Sequence, residues 1–204
     1  MKQPQVVGAV LAAGLALAAG IWAASYWYAP KAVTLQSGVL LGAPRAIAEF
    51  TLADQDGQAF SNDRLRGRWS LVFAGFTHCP DVCPTTLALM KVLTQRLGAS
   101  APAMIFLSVD PERDTPPVMQ SYVRYFGPAI TGVSGEREML DRFCASLGIA
   151  YVKVPGASEA DYTIDHSAAL VLIDPQGRVA GYFPPPLKVD TLAADLSRIA
   201  GPST

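Results

Sequence analysis

Between Lys2 and Lys31 the chain carries no charged side chain. Residues 6–28 form an apolar run of roughly 23 residues, which at about 1.5 Å each makes a helix close to 34 Å long. A bilayer core needs about 30 Å. Trp22, Tyr26, Trp27 and Tyr28 crowd one end, as amphipathic aromatics do at a headgroup boundary. The composition predicts one membrane-spanning helix, with residues 1–30 as an anchor. A cleaved secretory signal is the competing reading, since Ala23-Ala24-Ser25 offers small residues to a peptidase. The length of the run and the aromatics around that site favour the anchor. Lys2 and the terminal amine keep the N-terminus cytoplasmic. The expected topology is therefore single-pass in the inner membrane, with the soluble part in the periplasm or an equivalent exported compartment. No cysteine follows this segment to mark a lipoprotein.

With residues 31–43 read as a linker, residues 44–204 remain, enough for one core and not comfortably two. The 16 Lys+Arg balance 17 Asp+Glu, so no basic excess points to nucleic acid. Half the residues are hydrophobic and 16% charged, which excludes a disordered chain. Three cysteines are too few for a disulfide-dense scaffold and enough for one redox or metal site.

Apolar runs interleave with helical patterns, the mark of an α/β domain. Residues 47–52 and 58–60 flank Asp56-Gly57 as a hairpin. Residues 69–76 and 103–109 read as buried strands around a helix at 84–97. Thr115 before Pro116 and Pro117 reads as a cap and proline start for a helix to 126. A further helix spans 136–147, and strands follow at 151–154 and 167–173. The turn Asp174-Pro175-Gln176-Gly177 leads to a strand at 178–183, and a helix at 189–199 closes the chain. The polar stretch 155–164 reads as an insert that reorders on ligand loading.

Chemistry concentrates in Phe76-Thr77-His78-Cys79-Pro80-Asp81-Val82-Cys83-Pro84, where a buried strand hands over to a helix. If the segment is helical, Cys79 and Cys83 share one face, about 40° apart and roughly 6 Å along the axis. A helix start favours thiolate over thiol. Two such sulfurs can grip a soft metal or close into a disulfide. A purely structural bridge over so short a loop would restrict the unfolded chain little. Far along the chain, His166 precedes the strand at 167–173. A soft dithiolate with one imidazole suits copper, as Cu(I) or Cu(II). Zinc is a weaker choice, since a closed zinc site wants four protein ligands.

The run F-T-H-C-P-D-V-C-P, the segment S-V-D-P-E-R-D-T-P from Ser108 to Pro116, and D-H-S at 165–167 together resemble the Sco/SenC family of membrane-anchored copper chaperones. The resemblance covers essentially the whole exported domain. It implies a thioredoxin-like three-layer sandwich with a central mixed sheet. It also implies one copper ion held by Cys79, Cys83 and His166, and service in assembling the binuclear copper centre of cytochrome c oxidase. Cys79 and Cys83 are equally the expected redox-active disulfide. Asp110, in the second motif, and Asp81, between the cysteines, are expected around the ligands or as turn and cap residues.

The implied partners are the copper-centre subunit of the oxidase, a periplasmic thiol reductant, and a further copper chaperone. His78 is a weaker fourth-ligand candidate, and Cys144 reads as an inert buried thiol. The expectation is a carrier and not an enzyme in the turnover sense. The rivals are a thiol–disulfide oxidoreductase and a copper or redox sensor. Thioredoxin enzymes place two residues between their cysteines and a cis-proline opposite; here three residues intervene and Asp165-His166 stands opposite. Peroxiredoxins need a threonine three residues before the reactive cysteine, where this chain has Phe76.

Overall fold

The computed structural model describes residues 3–27, 34–158 and 161–200, and it divides into two units, residues 1–33 and 34–204. In the first unit, α1 (Gln3–Trp27) is a continuous helix. Its described side chains, Gly8 and residues 11–24, are exposed. Among the described residues no helix is long and apolar enough to cross a membrane. The side chains of Tyr26, Trp27 and Tyr28, and Lys2, lie outside the described residues.

The second unit contains β1 (Val39–Ala46), β2 (Thr51–Asp54), β3 (Ala59–Ser61), β4 (Ser70–Gly75), α2 (Val82–Leu97), β5 (Ala103–Ser108), α3 (Pro116–Phe126), β6 (Ile130–Ser134), α4 (Arg137–Leu147), β7 (Tyr151–Ser158), β8 (Asp161–His166), β9 (Leu170–Ile173), β10 (Arg178–Phe183) and α5 (Val189–Ala200). Eight strands form one sheet in the order β1-β10-β9-β4-β5-β6-β2-β3, and β7 with β8 forms a separate ribbon. The sheet is mixed. β4, β5 and β6 run parallel, whereas β9 lies antiparallel to β4.

Strand alternation builds the layers. Leu71 and Phe73 of β4, with Met104 and Phe106 of β5, pack against α2, α3 and α5. Val72, Ala74, Ile105 and Leu107 point the other way, towards α4, Phe50 and Phe60. Leu71, Val72, Phe73 and Ala74 have no exposed surface. Each fully buried large apolar side chain contributes about 1.5–3 kcal/mol, so the two central strands, apolar on both faces, fix the sandwich. The hairpin and the 174–177 turn use one device. Asp54 Oδ1 accepts from the Asp56 and Gln58 amides, and Asp174 Oδ1 accepts from the Gln176 and Arg178 amides. In each, a glycine (Gly57, Gly177) takes the positive φ.

Several sequence expectations need correction. β1 begins inside the stretch read as linker; its Gly42-Ala43-Pro44 interrupts the strand pattern, and its pairing with β10 shifts register between Leu40 and Arg45. β6 was not anticipated, because it is short and carries Gly132 at its centre. A Cβ there would meet the Met119 side chain at 2.5 Å. The stretch 155–164 is no bare insert: most of it belongs to the β7–β8 ribbon, although residues 159 and 160 lie outside the described residues. The strand expected over 167–173 starts only at Leu170. Thr115 occupies the N-cap of α3, yet its hydroxyl makes no cap bond.

Candidate metal centre

Cys79 and Cys83 do not share one helix face. α2 begins at Val82, which puts Cys83 in its first turn and leaves Cys79 in the preceding loop. There the Cys79 amide donates to the Phe76 carbonyl at 3.2 Å. The sulfurs converge through that turn, not through helical spacing.

The loop is held from below by a residue the sequence reading did not single out. Asp114 is 3% exposed. It accepts from the Thr77 amide at 2.9 Å, the Thr77 hydroxyl at 2.6 Å and the Ser108 hydroxyl at 2.5 Å. A buried carboxylate needs such donors to offset its desolvation. In return, it ties the cysteine loop to the end of β5. The signal was present, four residues after Asp110 in S-V-D-P-E-R-D-T-P. Gly75 ends β4 for a steric reason: a Cβ there would meet Cys83 Sγ at 2.7 Å and the Phe106 ring at 2.9 Å.

His166 arrives from the ribbon. Because β9 is antiparallel to β4, with Val72 opposite Val171, the residues just before β9 lie beside the end of β4, where the cysteine loop begins. Cys83 Sγ lies 3.5 Å from His166 Nε2, and His166 Nδ1 lies 3.2 Å from the Ser167 carbonyl oxygen. A carbonyl only accepts, so Nδ1 carries the ring proton and Nε2 presents its lone pair to the sulfur. Phe73 and Phe76 meet the imidazole edge-on, with centroids 5.9 and 6.1 Å away.

The ligand atoms of Cys79, Cys83 and His166 all lie within 4.8 Å of one another. Cys79 and His166 are half-buried and Cys83 is buried. All three cysteines are free thiols.

Electrostatics at Cys83 run against the expected stabilisation of thiolate by a helix start. Burial pushes the thiol well above its ordinary range, and Cys79 and Asp114 push it further, while a backbone hydrogen bond from Phe76 pulls the other way. The 3.5 Å between Cys83 Sγ and His166 Nε2 is close enough for one soft cation to be shared by both atoms.

Asp110 is 1% exposed and does not reach the sulfur cluster. It accepts from the Tyr162 hydroxyl at 2.7 Å and Arg113 Nε at 2.5 Å. Asp81 is exposed at the α2 N-cap and makes no side-chain cap bond. His78 is exposed and bonds the Thr77 hydroxyl at 3.0 Å; among the described residues it does not join the cluster. Cys144 is buried in α4, where burial, aided by Asp141, lifts its thiol to about 12.

The SCO1/SenC family profile matches residues 40–201. The chain belongs to the SCO1/SenC family. Among its relatives, a putative copper-binding protein of Stutzerimonas stutzeri is 39% identical over 164 residues, covering 79% of this chain and 80% of the relative. The mitochondrial SCO1 homolog of Homo sapiens is 32% identical over 161 residues, covering 77% of this chain and 54% of the human protein, so the chain spans about half of that relative. The structure of Bradyrhizobium japonicum ScoI with copper bound superposes with a TM-score of 0.69 at 40% identity, covering 75% of this chain and 99% of that one. That SCO1/SenC likeness establishes the thioredoxin-like α/β fold with its mixed central sheet.

Proposed function

We propose that this chain is a membrane-anchored copper carrier. Cys79, Cys83 and His166 hold one copper ion destined for the binuclear copper centre of cytochrome c oxidase. The observation that carries the reading is the approach of two thiol sulfurs and one imidazole nitrogen to within 4.8 Å of one another. Thiolates select Cu(I), and the added imidazole helps hold Cu(II). Family membership supports copper as the cargo and the oxidase copper-centre subunit as its recipient, directly or through a further copper chaperone.

Residues 1–30 serve as a single-pass inner-membrane anchor with a cytoplasmic N-terminus. The copper-binding domain, which takes in β1 from Val39 onward, lies in the periplasm. Copper loading needs unoxidised sulfurs, so a periplasmic thiol reductant is the second partner. Asp110 and Asp81 act around the ligands. The carrier turns over no substrate.

One observation favours a second reading, thiol–disulfide exchange: Cys79 is half-buried whereas Cys83 is fully buried, the pattern of an attacking and a resolving thiol.

The test is titration of the reduced full chain with Cu(I) and Cu(II) separately, for the natural protein and His166→Ala. The carrier reading expects about one copper per chain and a Cu(II) affinity at least tenfold weaker in the variant, with Cu(I) nearly unchanged. Equal losses for both ions, or no stoichiometric copper, would favour dithiol exchange.

A further inference from the structure

Register decides which way the ribbon faces. Tyr151 pairs with His166, Lys153 with Ile164 and Pro155 with Tyr162. Directly opposed residues share a face, as do alternate residues along a strand. One face of the ribbon therefore presents Tyr151, Lys153, Tyr162, Ile164 and His166 together. Ile164 is buried in the core on the α4 side, whereas Val152 and Asp165, of the opposite face, are exposed. The imidazole is one end of a surface laid against the domain, so whatever seats that surface also sets the ring's position.

The seat opposite the histidine is polar, with Asp110 buried at its base and Tyr162 partly exposed. Besides its bond to Asp110, the Tyr162 residue offers its carbonyl to Arg113 Nη1 at 3.0 Å. The Arg113 guanidinium carbon stacks 3.5 Å from the Tyr162 ring centroid and 5.7 Å from that of Phe76. Phe76 in turn meets the His166 ring. Arg113 Nη2 is buried with no hydrogen-bond partner, an arrangement that stability alone would not favour. On the Tyr162 ring also rests Lys153 Nζ, at 3.8 Å.

We propose that Tyr162 is a positioning residue for the metal centre. Its hydroxyl, anchored on buried Asp110 and framed by Arg113, holds the ribbon so that His166 Nε2 stays at Cys83 Sγ, and thereby sets the preference of the site for Cu(II). This rests on the copper reading above. Groups that orient a metal-binding histidine typically change affinity by about 10–100-fold when removed. Tyr162 acts only on the histidine, so its effect falls on the ion that depends on the histidine.

The experiment uses the reduced full chain, anaerobically, with copper(II) sulfate and Cu(I) as probes. The natural protein is compared with Tyr162→Phe, His166→Ala and the double variant. Phenylalanine keeps the ring and its stacking, so unfolding midpoints should stay close to the natural value. Tyr162→Phe is expected to weaken Cu(II) about tenfold, leave Cu(I) unchanged, and shift the thiolate-to-Cu(II) absorption band at full occupancy. In the His166→Ala background the same change should have no further effect. A Tyr162→Phe protein with natural Cu(II) affinity and an unshifted band, alongside a weakened His166→Ala, would overturn the positioning role and leave the copper reading intact. Failure of His166→Ala to alter Cu(II) binding would instead overturn the copper reading itself. Equal losses of Cu(I) and Cu(II) in Tyr162→Phe would also overturn the positioning role.

Discussion

The cysteine loop and the ribbon meet at the same point but are held there by different means. The loop is anchored from beneath: Asp114 takes three hydrogen bonds around it, Cys83 is fully buried, and Gly75 has no room for a side chain. The ribbon has one seated face and one exposed face, with Val152 58% exposed on the latter. Stability is not uniform across a domain, and here the proposed ligand set is divided across that gradient. Two ligands sit on the firm part and one on the yielding part. Changes in the loop should therefore affect copper of either oxidation state, and changes in the ribbon only the state that needs an imidazole.

The largest expected effect lies in the loop. Cys79→Ser or Cys83→Ser should drop bound copper from about one per chain to near zero for both ions, measured by metal analysis after desalting. Retention of stoichiometric copper by either variant would break the contrast. Asp114→Ala leaves the Thr77 amide and two hydroxyls without their acceptor; it should lower unfolding free energy by about 2–4 kcal/mol. The same variant should weaken Cu(I) and Cu(II) alike. A loss confined to Cu(II) would move Asp114 to the ribbon's side of the comparison. Gly75→Ala should destabilise by about 1–3 kcal/mol through overpacking against Cys83 and Phe106, as read in a denaturant titration.

On the ribbon, Lys153→Ala removes an exposed ion pair with Glu112 at 2.8 Å and a cation from the Tyr162 ring. Such contacts contribute at most about 1 kcal/mol, so the unfolding midpoint should hardly move. The smallest effect belongs to Cys144. Its thiol ionises only near 12 in the folded chain but near the ordinary 9.0 when unfolded. The folded state keeps its proton longer, so this group's stabilising contribution is intact below about 9 and fades between about 9 and 12. Cys144→Ala should flatten that part of the stability profile and leave copper stoichiometry at about one. A fall in stoichiometry would make Cys144 part of the centre.

The same contrast explains what could be read from the sequence. The loop's chemistry lies within nine consecutive residues, 76–84, and its strand and helix are strongly patterned, so the fold class and Cys79 and Cys83 were legible. Asp114 stands in the second motif, but an aspartate among turn-forming prolines looks the same whether it is a cap or a buried anchor, so the motif alone does not give its role. In the ribbon, Tyr162, Ile164 and His166 alternate with Asp161, Thr163 and Asp165, a period of two. The polar composition nevertheless disguised β8 as an insert. Its partner in the histidine's placement, Asp110, lies 52 residues before Tyr162, a separation over which local patterning carries no information. His166 was a candidate from its place before a late strand and joined the expected ligand set through family resemblance; the antiparallel register of β9 beside β4 supplies the physical reason.

X-ray absorption spectroscopy of the copper-loaded reduced chain tests the central claim most directly. The account predicts, for Cu(II), a single copper bonded to two sulfurs and one imidazole nitrogen, and loss of the nitrogen scattering in His166→Ala with both sulfurs retained. Copper surrounded by nitrogen and oxygen alone, or an imidazole signal that survives the substitution, would contradict it.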